Sequence, residues 1–184
     1  MKKALSFILA VLILFSTAFI FWNTYNTTST GTSMSNTIKW SDKTEAMCNE
    51  LFGDIDNDMD KAIAIYRWVI LNIEYVSYGR PIVQSLDIDK TLEQKNGICF
   101  EQASTFTVFC RIQGIQCYNV DGRLRQDKSI AHTWNRLCID GQWYEIDITN
   151  DQTIYKRGSN QYYGFQPIDS KDAYSNVYDI THMY

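Results

Sequence analysis

The 184-residue chain lacks a basic stripe, a CxxC pair and any Cys/His spacing typical of zinc ligation. Its formal net charge of −4 does not favour a nucleic-acid partner. Acidic residues 54–58 do not begin a calcium loop, because Lys61, Ala62 and Ile63 break the twelve-residue spacing that ends in Glu. We therefore predict no cofactor, no metal and no nucleic-acid partner.

The N-terminal segment has the pattern of an export signal. In residues 1–22, Lys2 and Lys3 precede a long apolar run. One interpretation is a signal peptide cleaved near the small residues 16–18. The other is an uncleaved signal-anchor transmembrane segment, which the continued apolar run over residues 19–22 favours. We expect an exported protein, membrane-anchored and facing outside the cytoplasm, or secreted if the segment is cleaved.

The rest of the chain is interpreted as a spacer and one domain. Residues 23–37 are rich in Thr, Ser and Asn, which is typical of a flexible spacer. Residues 38–184 have the length of a single domain with a core of ordinary size. Helical periodicity over 41–52 and 58–72, followed by β-prone segments, indicates an α+β fold.

Three polar residues in separate predicted elements form the candidate site. Cys99 begins a predicted helix that ends at Gly114, and the positive end of the helix dipole favours a thiolate there. His132, in a predicted strand, can exchange the thiol proton. Asp147, in the next strand, can orient the imidazole and stabilise its cation. Taken singly, the three could instead be a buried hydrophobe, a structural histidine and a capping aspartate.

The spacing of His132 and Asp147 favours the catalytic interpretation. The dipeptide Asp140-Gly141 is a strong signal for a two-residue hairpin loop. That loop would place Arg136 opposite Glu145, an opposite-charge pair that supports the register. Asp147 then shares a face with His132 and lies diagonally within side-chain reach, whereas a one-residue slip would separate them.

These motifs resemble the transglutaminase-like superfamily, a papain-like group of cysteine enzymes. The matching segments are Gly97-Ile98-Cys99, His132-Thr133-Trp134-Asn135 and residues 140–149. The resemblance implies a papain-like, transglutaminase-core fold with N-terminal helices and a nucleophile helix packed on an antiparallel sheet. It also implies that Cys99 is the nucleophile, His132 the base and Asp147 the third member of a triad.

The expected function is thiol-dependent acyl transfer at an amide bond. The expected substrate is a protein or peptide, and cell-envelope proteins are one candidate class. Hydrolysis is favoured over transamidation, because the large transglutaminases that the chain resembles carry further domains and calcium sites. The alternative is a non-catalytic, membrane-tethered module that binds a peptide or glycan. The backbone N–H of Cys99 is a candidate oxyanion donor, while the substrate-binding residues are not indicated.

Two smaller expectations concern the cysteines and the C-terminal region. Four of the five cysteines could pair and leave Cys99 free, with Cys110 and Cys117 as the nearest pair in sequence. Two separate buried thiols are the favoured interpretation of that pair. The Tyr-rich residues 154–184 carry weak patterning, from which we predict one further strand around residues 162–165.

Overall fold

The computed structural model describes residues 38–76, 85–158 and 164–184. The predicted signal segment at 1–22 and spacer at 23–37 lie outside these residues. Within the three described ranges, no helix is both long and apolar enough to cross a membrane.

Five helices and two sheets make up the described part of the chain. The helices are α1 (Asp42–Phe52), α2 (Asp58–Asn72), α3 (Ile88–Gln94), α4 (Cys99–Ile112) and α5 (Ile148–Lys156). The strands are β1 (Glu74–Tyr75), β2 (Asn96–Gly97), β3 (Gln116–Leu124), β4 (Ala131–Ile139), β5 (Gln142–Ile146), β6 (Gln166–Pro167) and β7 (Tyr178–Met183). A single 3₁₀ turn, Tyr174–Asn176, precedes β7.

The first two helices begin and end where sequence signals predict. The Ser41 hydroxyl accepts a hydrogen bond from a first-turn N–H of α1, and Asn57 does the same for α2. Such N-caps supply acceptors that the first helical turn lacks. Helix α1 ends at Phe52, immediately before Gly53. The predicted helices at 41–52 and 58–72 are thus confirmed.

Helix α4 is the centre of the domain. It packs against β3 and β4 on one side and against α2 on another. Every residue from Phe100 to Cys110 is buried. A helix buried on all sides cannot be amphipathic, so its polar side chains must find partners inside the protein.

Those partners form a buried polar network between α4 and the sheet. The side chains of Ser104, Thr107, Asn119 and Asn135 are all fully buried. Thr107 donates to Asn119 Oδ1 at 2.6 Å, and Asn119 Nδ2 donates to Ser104 Oγ at 2.7 Å. Asn135 Nδ2 donates to the Ala103 carbonyl at 2.9 Å. Because each bond has a directional geometry, the network fixes how α4 sits on β3 and β4.

The main sheet is antiparallel, with strand order β6-β5-β4-β3-β7. Asp140 and Gly141 join β4 to β5 with φ angles of 52° and 80°. Positive φ at both positions identifies a type I′ hairpin turn. Arg136 pairs with Glu145 as predicted, and their side chains form an ion pair at 2.6 Å. The predicted α+β fold, with N-terminal helices and α4 packed on an antiparallel sheet, is confirmed.

The C-terminal region differs from the prediction. Residues 162 and 163 of the expected strand lie outside the described residues, and the strand nearby is Gln166–Pro167. An unpredicted strand, β7, pairs with β3 at the edge of the sheet. The five cysteines are free thiols, so Cys110 and Cys117 are two separate buried groups.

Candidate active site

Cys99 is the first residue of α4 and is half-buried. The Glu101 side chain fixes the backbone that leads into α4. Its two carboxylate oxygens accept the N–H groups of Ile98 at 3.0 Å and Ser85 at 2.7 Å. Gly97 is required by this packing, since a Cβ there would lie 2.4 Å from Glu101 Cβ. The buried carboxylate therefore sets the entry of the chain into the helix and the position of the thiol.

His132 and Asp147 are in direct contact. His132 lies in β4, and its Nε2 is 2.6 Å from Asp147 Oδ2. Asp147 is predicted in the strand itself, but it lies one residue beyond β5, where its Oδ1 accepts the Asn150 N–H at 3.0 Å and caps the unpredicted helix α5. The two interpretations of this aspartate, helix cap and histidine partner, both hold, because each carboxylate oxygen has its own task.

The electrostatics of the site favour a charged imidazole. Burial lowers the pKa of His132, but the charge and hydrogen bond of Asp147, followed by those of Cys99, outweigh it and raise that pKa from 6.5 to about 10. Cys99 is thus, after Asp147, the second group that favours the protonated form of His132. Because Asp147 occupies Nε2, Nδ1 is the ring nitrogen available to the thiol.

Two buried glutamine side chains connect α4, which begins with Cys99, to α5, which Asp147 caps. Gln102 Oε1 accepts the Thr149 hydroxyl at 2.6 Å, and its Nε2 donates to the Ile73 carbonyl at 2.8 Å. Gln152 Nε2 donates to the same carbonyl at 2.8 Å. These bonds also satisfy a carbonyl at the C-terminal end of α2. The relative position of Cys99 and Asp147 is thus set by hydrogen bonds that are buried at the Ile73 carbonyl and partly buried at Thr149.

Two tyrosines of the C-terminal region, missed by the sequence analysis, border the site. The Tyr178 ring lies 5.4 Å from the His132 ring, measured between centroids. Tyr184 donates its hydroxyl to Asp121 Oδ2 at 3.1 Å. Burial, followed by the charge of Asp121, raises the pKa of Tyr184, and the charge of Cys99 contributes to this rise. The tyrosine-rich composition of residues 154–184 is the only sequence signal that points to them.

The arrangement contains the parts that acyl transfer needs. A thiol stands at a helix start beside an imidazole, and a carboxylate holds the opposite ring nitrogen. As a first-turn donor, the Cys99 N–H has no acceptor within its own helix. Among residues 38–76, 85–158 and 164–184, no group of three or more His, Cys, Asp or Glu side chains could hold a metal ion.

A family model matches the part of the chain that contains this site. Residues 45–148 match the family model described as the transglutaminase-like superfamily. That span covers more than half of the chain and includes Cys99, His132 and Asp147.

Individual relatives are similar over part of their length. Kyphoscoliosis peptidase of Mus musculus is 29% identical over 119 residues, which is 55% of this chain and 18% of that protein. The Homo sapiens protein of the same name is 26% identical over 57% of this chain and 18% of its own length. The chain therefore spans less than a fifth of these relatives.

Two solved structures share the fold. A structure described as a candidate cysteine protease from Cytophaga hutchinsonii has a TM-score of 0.51 and 24% identity, covering 78% of this chain and 49% of that chain. The periplasmic domain of TgpA from Pseudomonas aeruginosa has a TM-score of 0.51 and 17% identity, covering 67% and 47%. At these identities the likeness is one of fold.

Proposed function

This chain belongs to the transglutaminase-like superfamily, and on that premise we propose that it catalyses acyl transfer at an amide bond through Cys99, His132 and Asp147. One observation carries the proposal. His132 Nε2 is bonded to Asp147 Oδ2 at 2.6 Å, and Cys99, the first residue of α4, contributes with Asp147 to the raised pKa of the same imidazole. These observations support the roles of nucleophile for Cys99, base for His132 and orienting group for Asp147.

The proposed reaction has two halves. The Cys99 thiolate attacks the amide carbonyl carbon, and the Cys99 N–H stabilises the developing oxyanion. His132 transfers its Nδ1 proton to the leaving nitrogen as the C–N bond breaks, which leaves a thioester on Cys99. The neutral imidazole then removes a proton from water as the water oxygen attacks the thioester carbon. The C–S bond breaks, the carboxylic acid leaves, and Cys99 is again a thiolate beside a protonated His132. Asp147 holds the Nε2 proton throughout, so Nδ1 remains the nitrogen that exchanges protons.

We propose a protein or peptide as the substrate and water as the acceptor. Two similar proteins are named as a peptidase or described as a cysteine protease, which supports hydrolysis as the first choice. Transamidation differs only in the acceptor, since an amine can attack the same thioester. A binding module without catalysis would not need a carboxylate bonded to the imidazole at 2.6 Å.

A protein substrate offered with and without an amine tests the function. Incubating the full chain with unfolded casein should generate new N-termini, detected by mass spectrometry, whether or not a fluorescent primary amine is added. Incorporation of the amine in place of cleavage would indicate transamidation. Absence of both products, with casein still bound, would contradict catalysis and favour the binding module.

We also propose that residues 38–184 lie outside the cytoplasmic membrane, attached through residues 1–22 or released after cleavage. The two lysines before a long apolar run support this location. Protease added to intact cells should digest the domain while a cytosolic marker remains protected. Equal protection of the domain and the marker would contradict export.

A further inference from the structure

Tyr178 is placed over the imidazole by the edge strand β7. Its ring centroid lies 5.4 Å from that of His132, with 31° between the ring planes. The Trp134 ring lies 5.3 Å from Tyr178 and 6.4 Å from His132. Two aromatic side chains therefore line the imidazole, one from its own strand and one from a strand two positions away in the sheet.

Gly122 in the intervening strand leaves room for this aromatic group. It pairs with His132 on one side and with Ile180 on the other. A Cβ at Gly122 would lie 2.7 Å from Trp134 Cη2 and 3.0 Å from the Asp179 carbonyl oxygen. The register of β7 also shifts between Asp121 and Gly122, as expected of a bulge that redirects side chains.

Tyr178 is influenced by the charges of both Asp147 and Cys99. Burial, followed by the charges of Asp147 and then Cys99, raises the pKa of the Tyr178 phenol. The side chains of His132 and Asp147 are only 14% and 4% exposed, so little water reaches their hydrogen bond. An aromatic face within about 6 Å of a cation attracts it, and exclusion of water strengthens nearby hydrogen bonds.

We propose that Tyr178 is a positioning residue of this site, whose ring holds the imidazolium of His132 and keeps water from the His132–Asp147 hydrogen bond. The ring carries this role and the hydroxyl does not. The assignment deepens the proposed function and rests on it for its catalytic meaning. The exposure of the His132–Asp147 hydrogen bond to water can be measured without any substrate.

Two substitutions separate the ring from the hydroxyl. Tyr178→Phe keeps the aromatic face, whereas Tyr178→Leu removes it, and Ile180→Ala controls for damage to β7. The Nε2 proton of His132, observed by ¹H NMR, should be visible in the wild type and in Tyr178→Phe. In Tyr178→Leu it should broaden through exchange with water. Alkylation of Cys99 by iodoacetamide at pH 7 should change less than about twofold in Tyr178→Phe and fall about tenfold in Tyr178→Leu, as loss of about 1.4 kcal/mol would give.

Several results would overturn the assignment. A sharp Nε2 signal and unchanged alkylation in folded Tyr178→Leu would show that the ring is only a packing residue. Loss of the signal in Tyr178→Phe would assign the role to the hydroxyl. If Tyr178→Leu does not fold, the same measurements are made on Tyr178→Met, which keeps a long side chain but has no aromatic face. Slow alkylation of wild-type Cys99 would contradict the proposed function instead, while the NMR comparison would still decide the role of Tyr178.

Discussion

Cys99→Ala is expected to abolish turnover and fast thiol labelling while the fold remains intact. Removal of the nucleophile leaves the imidazole and carboxylate with no group to activate, so turnover should fall by roughly 10⁶-fold, as for a serine protease without its nucleophile. Alanine favours the helix and occupies less space than cysteine at this half-buried position, so the free energy of unfolding should change little. Turnover, iodoacetamide labelling at pH 7 and chemical denaturation provide the three measurements.

The other cysteines supply the controls. Burial raises the pKa of Cys48 to about 11, and burial together with neighbouring Cys117 raises that of Cys110. Protonated, inaccessible thiols react slowly. Cys138 is half-buried like Cys99, which makes Cys138→Ala the matched variant. If the fast label remains on Cys99→Ala and disappears from Cys138→Ala, the nucleophile has been assigned to the wrong residue.

The contact between His132 and Asp147 could be predicted because local rules determine it. A two-residue loop at Asp140 and Gly141 allows one register, and the side-chain period of two then decides which residues share a face. The opposite-charge pair of Arg136 and Glu145 supports the same register and is formed in the structure. The pairing of β4 with β5 ends at Asn135 and Ile146, so the contact forms just beyond it and is made by the residue that caps α5.

The position of Tyr178 could not be predicted, because it depends on non-local pairing. Strand β7 pairs with β3, more than fifty residues earlier in the chain. Five of its six residues are exposed, so the strand lacks the alternation of buried and exposed residues that identifies a half-buried strand. The register shift beside Gly122 changes the side-chain direction again.

The hydrogen-bond partners of the buried polar side chains of α4 could not be predicted from the sequence either. Thr107, Gln102 and Ser104 give the helix a mixed pattern, yet all three are fully buried. Partners on β3, β4 and α5, and the Ile73 carbonyl that follows α2, make this burial tolerable. Periodicity along one helix does not show which partners the rest of the fold will supply.

Asp147→Asn is expected to lower turnover by roughly 10²- to 10⁴-fold, by analogy with other triads. Oδ1 of Asp147 already accepts the Asn150 N–H, so an amide that keeps this cap must direct its NH₂ toward His132 Nε2. Nε2 would then have to accept, which places the proton on Nδ1 and prevents that nitrogen from acting as the base. Rotating the amide would restore the tautomer but would lose the cap, at a cost of about 1 kcal/mol.

The same substitution has a signature in the pH dependence of stability. A folded-state pKa of about 10 for His132, raised from 6.5, means that its charged form stabilises the native state. This contribution is fully present below pH 6.5 and is lost as the pH rises through about 10. Removing the charge of Asp147 should therefore lower the free energy of unfolding most near pH 6.5. The difference from the wild type should shrink toward pH 10, as measured by denaturation across that range.

Asp151→Asn is the matched control for loss of a carboxylate from the same helix. Asp151 is fully buried and accepts the Tyr66 hydroxyl at 2.6 Å and the Gly164 N–H at 3.0 Å. These partners lie on α2 and in the chain before β6, so this substitution should lower stability while the turnover of folded protein changes only a few-fold. If Asp151→Asn inactivated the folded protein and Asp147→Asn did not, the pairing of His132 with Asp147 would have no part in the chemistry.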